Sequence, residues 1–236
     1  MTPIIVPVLL VKNEEVWIGR ILSALSNVFP HIIVTDTGST DSTIEQVEKV
    51  SGVMLIEMGN VSPRELTSCR QYMQAKASSS FNATHIFLVD GDELYTTKYL
   101  RYIANNPMPE HYISGFTSGI EVGEMENGEF WFYHTNGVPT GLNRQAIIPV
   151  NSLWKGVYPF ESPDCYIPGS PLNHYFPAPE GSRGFFHLHH TRRSYRDSDV
   201  YLRSEKRGQF SLRPTPPEIQ PGELWLKDWD SYVDEE

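Results

Sequence analysis

Four short apolar runs in the first half of the chain each end on polar or acidic residues, and stretches with helical periodicity separate them. The runs are residues 4–11, 31–35, 53–57 and 85–89. Between the first two, residues 16–26 place Ile18, Ile21, Leu22 and Leu25 on one stripe, the spacing of an amphipathic helix. Between the second and third, the turn Thr37-Gly38-Ser39-Thr40-Asp41 opens a helix carrying Ile44, Val47 and Val50, with Ser42 and Glu45 at capping-box spacing and Gly52 as its stop. Ahead of the fourth run, Ser62-Pro63-Arg64-Glu65 is a helix start, and that helix is expected to reach about Ser78 and to carry Arg70. Parallel strands need a crossover long enough for a helix, so this alternation predicts parallel βαβ units and an α/β fold. Open α/β sheets bind ligands beyond the carboxyl ends of their strands. In this chain those ends carry Asn13, Glu14 and Glu15, then Asp36 and its turn, the Gly59 loop, and Asp90-Gly91-Asp92-Glu93.

The last of these ends has the most specific chemistry. Residues i and i+2 of an extended chain point the same way, so Asp90 and Asp92 can converge on one point. Gly91 between them is expected to leave room for a ligand to approach the backbone. Two convergent carboxylates suit a hard divalent cation that keeps other positions for phosphate oxygens. The alternative is a plain turn, since Asp and Gly commonly reverse chains after strands.

The rest of the chain bounds the class. With 236 residues, 39% hydrophobic and 12% aromatic, it can bury a substantial core. The run at 4–11 is too short for a membrane span and contains Pro7; it also lacks the basic start and small-residue cleavage site of a signal peptide. Cys69 and Cys165 set neither a disulfide framework nor a zinc pattern, so a cytoplasmic protein is expected. A net charge of −10 argues against wholesale nucleic-acid binding. Eight basic residues from Arg183 to Arg213 nevertheless crowd one stretch before an acidic tail; they would either steer an anionic partner or form surface ion pairs. The second half predicts a helix over 96–105, a hairpin of 113–124 with 129–133 around Asn127-Gly128, and a strand over 146–150. Beyond 151 the chain is rich in Pro, Gly and aromatics, and past 213 its prolines oppose regular structure.

Three blocks in order, Val11-Lys12-Asn13-Glu14-Glu15, residues 34–43 from Val34 to Thr43, and Val89-Asp90-Gly91-Asp92-Glu93, resemble family 2 glycosyltransferases. The match is good over roughly the first hundred residues and looser beyond. The resemblance implies the A-type glycosyltransferase (GT-A) fold, a mostly parallel central sheet flanked by helices with a small antiparallel hairpin portion. Residues 1–195 would then form one domain, with a nucleotide-sugar half (1–95) and an acceptor half (96–195), and 196–236 a C-terminal extension. It implies a metal-dependent, inverting transfer from a nucleotide-sugar, with a UDP-linked donor expected. Asn13, Glu14 and Glu15 would line the nucleotide pocket, and Asp36 would accept hydrogen bonds from base or ribose. Arg70 would face the nucleotide or else make a helix-surface ion pair. Asp92, with Asp90 second, would hold Mn2+ or Mg2+ against the diphosphate, and Glu93 would orient its neighbours.

The segment Trp154-Lys155-Gly156-Val157-Tyr158-Pro159-Phe160-Glu161, with Arg144 upstream, resembles the lipopolysaccharide-core branch. Glu161 would be the base that deprotonates the acceptor, although Pro159-Phe160 stand where that branch often has His before Glu; Asp164 is the rival. His189, or else His187, would be a third metal ligand, and Arg192 and Arg193 would touch the diphosphate. Trp154 and Tyr158 would stack on acceptor sugars or pack internally. The acceptor is left open among glycan, protein and modified nucleic acid. A sugar nucleotidyltransferase is the alternative enzyme, disfavoured because 12–15 is acidic and lacks glycine. A phosphatase of the Asp-x-Asp type would place that motif after its first strand. A non-catalytic nucleotide or sugar binder is the third alternative.

Overall fold

The structure, a computed structural model, describes residues 3–15, 17–95, 97–105, 114–116, 119–124, 130–133, 147–156, 162–163, 174–176 and 185–189. Side chains are described up to residue 105, except those of Leu94 and Lys98, and for 147–156. The first half delivers the expected alternation: β1 (Ile5–Val11), α1 (Ile18–Ser26), β2 (Ile32–Asp36), α2 (Thr43–Glu48), β3 (Val53–Glu57), α3 (Leu66–Phe81) and β4 (His85–Asp90). Then follow β5 (Glu93–Tyr95), α4 (Thr97–Asn105), β6 (Ser114–Phe116), β7 (Gly119–Glu124), β8 (Phe130–Tyr133) and β9 (Ile147–Pro149). Short strands β10 (Trp154–Lys155), β11 (Ser162–Pro163), β12 (His174–Phe176) and β13 (Phe185–His189) complete the order.

The seven-stranded sheet runs β12-β6-β9-β4-β1-β2-β3, with β4, β1, β2 and β3 parallel and β9 antiparallel to β4. Alternate residues of the central strands feed two cores. On one face Leu9, Val11, Val34, Phe87 and Val89 meet the stripe Ile18, Ile21, Leu22 and Leu25 of α1 and Tyr99, Leu100 and Ile103 of α4. On the other, Val6, Val8, Ile33, Ile86 and Leu88 meet Met73 and Ala77 of α3. Helices on both faces cover the sheet, which explains why its strands read as continuous apolar runs.

The 3-10 turn Pro63–Glu65 that leads directly into α3 follows the expected chemistry. The Ser62 N–H and hydroxyl both donate to Glu65 Oε2, at 3.0 and 2.7 Å, and these bonds hold the Glu65 carboxyl below its ordinary range. The helix runs past Ser78 to Phe81, where Asn82 adopts a left-handed conformation (φ 53°) and ends it. Two expectations fail. Ser42 makes no side-chain cap on α2; Asp41 Oδ1 instead accepts from the Thr43 N–H at 3.0 Å, because the loop presents its carboxylate to the helix start. The predicted strand over 113–124 is two strands in different sheets. Its first part, β6, pairs with β9 and β12, whereas β7 joins the hairpin partner β8 in a second sheet of order β5-β13-β7-β8. The antiparallel portion is therefore larger than a hairpin. Among the described residues no helix is long and apolar enough to cross a membrane.

Candidate functional site

Register brings the polar strand ends to one edge. Val11 is paired with Asp36, Leu10 with Asp90, and Asp36 with Glu57. Paired residues of parallel strands share a face, so Asp36 lies on the α1 side of the sheet and Asp90 on the α3 side.

The loops beyond these ends are laced together by side chains. Asn13, at φ 58°, accepts the Thr40 N–H on its Oδ1 (2.8 Å), and its own N–H donates to Ser39 Oγ (2.9 Å). The Glu14 N–H donates to Thr43 Oγ1 at 2.7 Å, and the Glu15 N–H to Asp41 Oδ2 at 3.3 Å. Glu15 Oε2 accepts the Ser42 N–H at 3.1 Å, at the start of α2, where a negative charge is favourable. Asn13, Glu14 and Glu15, expected to line a nucleotide pocket, thus also tie the first loop to the second.

Asp36 is 2% exposed. Its Oδ2 accepts the Gly38 N–H (2.9 Å) and the Ser39 N–H (3.0 Å), with Oδ1 3.3 Å from the latter. These bonds fasten its carboxylate to its own turn. Gly91 also differs from expectation. A Cβ there would lie 2.7 Å from Glu14 Cγ, so the space glycine leaves is filled by Glu14, and the Asp90-Gly91-Asp92 turn seats directly on the first loop.

Glu93, 3% exposed, orients that turn. Its Oε2 accepts the Asp90 N–H and the Tyr95 hydroxyl, both at 3.0 Å. Glu93 is thereby directed inward, while Asp90 and Asp92 are half-buried at the edge. Among the described residues no three His, Cys, Asp or Glu side chains gather as a metal site. The histidine-bearing strand does reach this neighbourhood in backbone register: His187 of β13 is paired with Glu93 of β5, next to Asp92, and His189 lies two positions on. Two hard carboxylates at a strand end, with their third acid turned away, fit a divalent cation that carries phosphate.

On the other face, residues 147–156 dock on α3. Gln74, fully buried, donates through Nε2 to the Val150 and Ser152 carbonyls at 2.8 and 2.6 Å. Its Oε1 accepts the Trp154 indole N–H at 2.9 Å, and Gln71 Oε1 accepts the Trp154 backbone N–H at 3.2 Å. The Arg70 guanidinium stands 5.6 Å from the Trp154 ring centre, a cation–π contact. Trp154 therefore packs on α3 through both its N–H groups and its ring. Gln71 and Gln74 were not singled out from sequence; a glutamine one residue from buried Met73, on the face that also buries Ala77, was the available signal. Cys69 on the same helix is buried, and burial pushes its thiol up, so it offers no thiolate. Glu161, Asp164, Arg144, Arg192 and Arg193 lie outside the described residues.

No protein-family model matches the chain, and no curated protein matches it. Solved structures with a similar arrangement include S. aureus TarS 1–349, at 20% identity and a TM-score of 0.42 over 64% of this chain and 47% of that one. Glucosyl-3-phosphoglycerate synthase from Mycobacterium tuberculosis, in complex with Mn2+ and UDP-glucose, is 19% identical with a TM-score of 0.38, over 50% of this chain and 44% of that one. Mannosyltransferase PcManGT from Pyrobaculum calidifontis, in complex with GDP-Man and Mn2+, is 14% identical with a TM-score of 0.35, over 52% and 35%. The match spans about half of these proteins or less.

Proposed function

We propose that this chain is a metal-dependent glycosyltransferase of the GT-A class that moves a sugar from a nucleotide-sugar, UDP-linked, to an acceptor hydroxyl with inversion. The observation that carries the proposal is the convergence of three sequence blocks on one sheet edge. Residues 11–15, 34–43 and 89–93, which resemble family 2 glycosyltransferases in order, are joined there by the Asn13–Thr40 and Glu14–Thr43 hydrogen bonds and by the seating of Gly91 on Glu14. Residues 1–195 serve in this reading as one catalytic domain with 196–236 as its extension.

Asp92 and Asp90 would hold Mn2+ or Mg2+, with His189 or His187 as a further ligand. The cation would neutralise charge on the departing diphosphate. Glu93 keeps the acidic turn in place through the Asp90 N–H. Arg70, held over Trp154, supplies a cation on the same face as Asp90. Glu161 takes the proton from the acceptor hydroxyl, which then attacks the anomeric carbon from the side opposite the diphosphate. The acceptor class is a glycan, a protein or a modified nucleic acid.

Calorimetric titration of UDP, GDP, dTDP and CMP, each with and without Mn2+, tests the donor site. Manganese-dependent binding of a nucleotide that is lost in D92N, with the fold intact by circular dichroism, is the expected result. Wild-type-like binding and turnover in D92N would remove the metal role.

A further inference from the structure

Beside the enclosed Asp36 carboxylate, the same edge carries a bridge between two exposed side chains. Lys12 directly follows β1, and its Nζ donates to Asn60 Oδ1 at 2.7 Å in the loop after β3. Strands β1 and β3 flank β2, so their ends stand about 10 Å apart and the Lys12 side chain crosses the end of β2 to reach Asn60. Lys12 and Asn60 are both exposed, whereas Asp36 beneath them is not.

The backbone carrying Asn60 is held on both sides. The Met58 N–H donates to the Asp36 carbonyl at 3.0 Å and the Val61 N–H to the Thr37 carbonyl at 3.4 Å. Gly38, at φ 97°, packs so closely that a Cβ there would lie 2.9 Å from Asn60 Cα. The amide orientation is set as well. A lysine ammonium only donates, so it must face the amide oxygen, and the two amide N–H donors turn outward. The ammonium keeps further donors of its own. The bridge thus turns only hydrogen-bond donors, amide and ammonium, outward at the exposed end of β1–β3.

We propose that the Lys12–Asn60 bridge reads the base of the donor nucleotide and selects a keto edge, as in uracil or guanine, over an amino edge, as in cytosine or adenine. The inference rests on the nucleotide-sugar reading given above. A carbonyl oxygen accepts from this surface; an exocyclic amine presents a second donor to it and leaves both unpaired.

Titration of UDP and CDP with Mn2+ into the full chain, N60D and K12M tests the bridge. Wild type is expected to bind UDP about tenfold more tightly than CDP, the discrimination of one well-made hydrogen bond against one left unmade. In N60D the carboxylate can accept from the cytosine amine, so the preference shifts toward CDP by about the same factor. K12M frees the amide to rotate and brings the two affinities together. Equal affinities in wild type, or an equal loss for both nucleotides in N60D and K12M, would overturn the inference and leave the pair as a loop tie. Failure of every nucleoside diphosphate to bind the wild type would overturn the donor reading itself, and this inference with it.

Discussion

Gln74→Leu isolates the polar contribution that holds residues 147–156 to α3. Leucine occupies nearly the same volume as glutamine, so little cavity forms and the loss is one of hydrogen bonds. Three groups lose a partner: the Trp154 indole N–H and the carbonyls of Val150 and Ser152. Each such bond contributes about 1 kcal/mol net, and a buried group left unpaired costs about 1–3 kcal/mol. The Ser152 carbonyl keeps a longer bond from Gln71 Nε2 at 3.5 Å, and the Trp154 and Val150 bonds are only partly buried, so water can replace them in part. A loss of about 3 kcal/mol follows. For a chain of this size it corresponds to a fall in Tm of about 6–12 °C. Urea denaturation followed by circular dichroism measures the first quantity and scanning calorimetry the second. Combining Q74L with W154F closes a double-mutant cycle, in which the indole–amide bond should appear as a coupling of about 1 kcal/mol. A total loss under about 1 kcal/mol, or no coupling, would refute the assignment of Gln74 as the clamp. The clamped segment leads toward Glu161, so the same variant should also lower turnover.

Gly38→Ala should destabilise by about 3 kcal/mol, because alanine is strained at φ 97° and its Cβ would collide with the Asn60 backbone; a change in urea midpoint within error would contradict that packing. Thr35→Val should stabilise by about 1 kcal/mol, since Thr35 is fully buried and its hydroxyl has no hydrogen-bond partner among the described residues; a loss on thermal unfolding would reveal a partner for it. Glu65→Gln tests the α3 cap through pH. Ser62 depresses the folded-state Glu65 carboxyl, so its contribution is present above the ordinary value of 4.5 and fades as pH falls through the lower folded value. The Tm difference between wild type and E65Q should therefore be full at neutral pH and close in acid; a gap that persists in acid would argue against the ionised cap.

What was legible in the sequence was local. The stripe Ile18, Ile21, Leu22 and Leu25 and the apolar strand runs announce themselves because helix and strand periodicities repeat within a few residues. The Ser62–Glu65 cap is likewise contained in four residues, and it forms as read. The placement of polar groups at strand ends was legible for the same reason, since each strand's stop is written in its own turn residues.

The tertiary structure decided which of those groups meet. Asp36 is a strand-end carboxylate in sequence, but its turn folds the Gly38 and Ser39 amides onto it. Gly91 gives up its Cβ to Glu14 rather than to a ligand, a contact between residues far apart in sequence. Gln74 and Trp154, 80 positions apart, are joined because β9 adds to the edge of β4 and brings the following segment over α3. Lys12 and Asn60 meet because β2 lies between β1 and β3. Sequence periodicity specifies each element, whereas partner choice depends on sheet order and register, and those exist only once the strands have assembled.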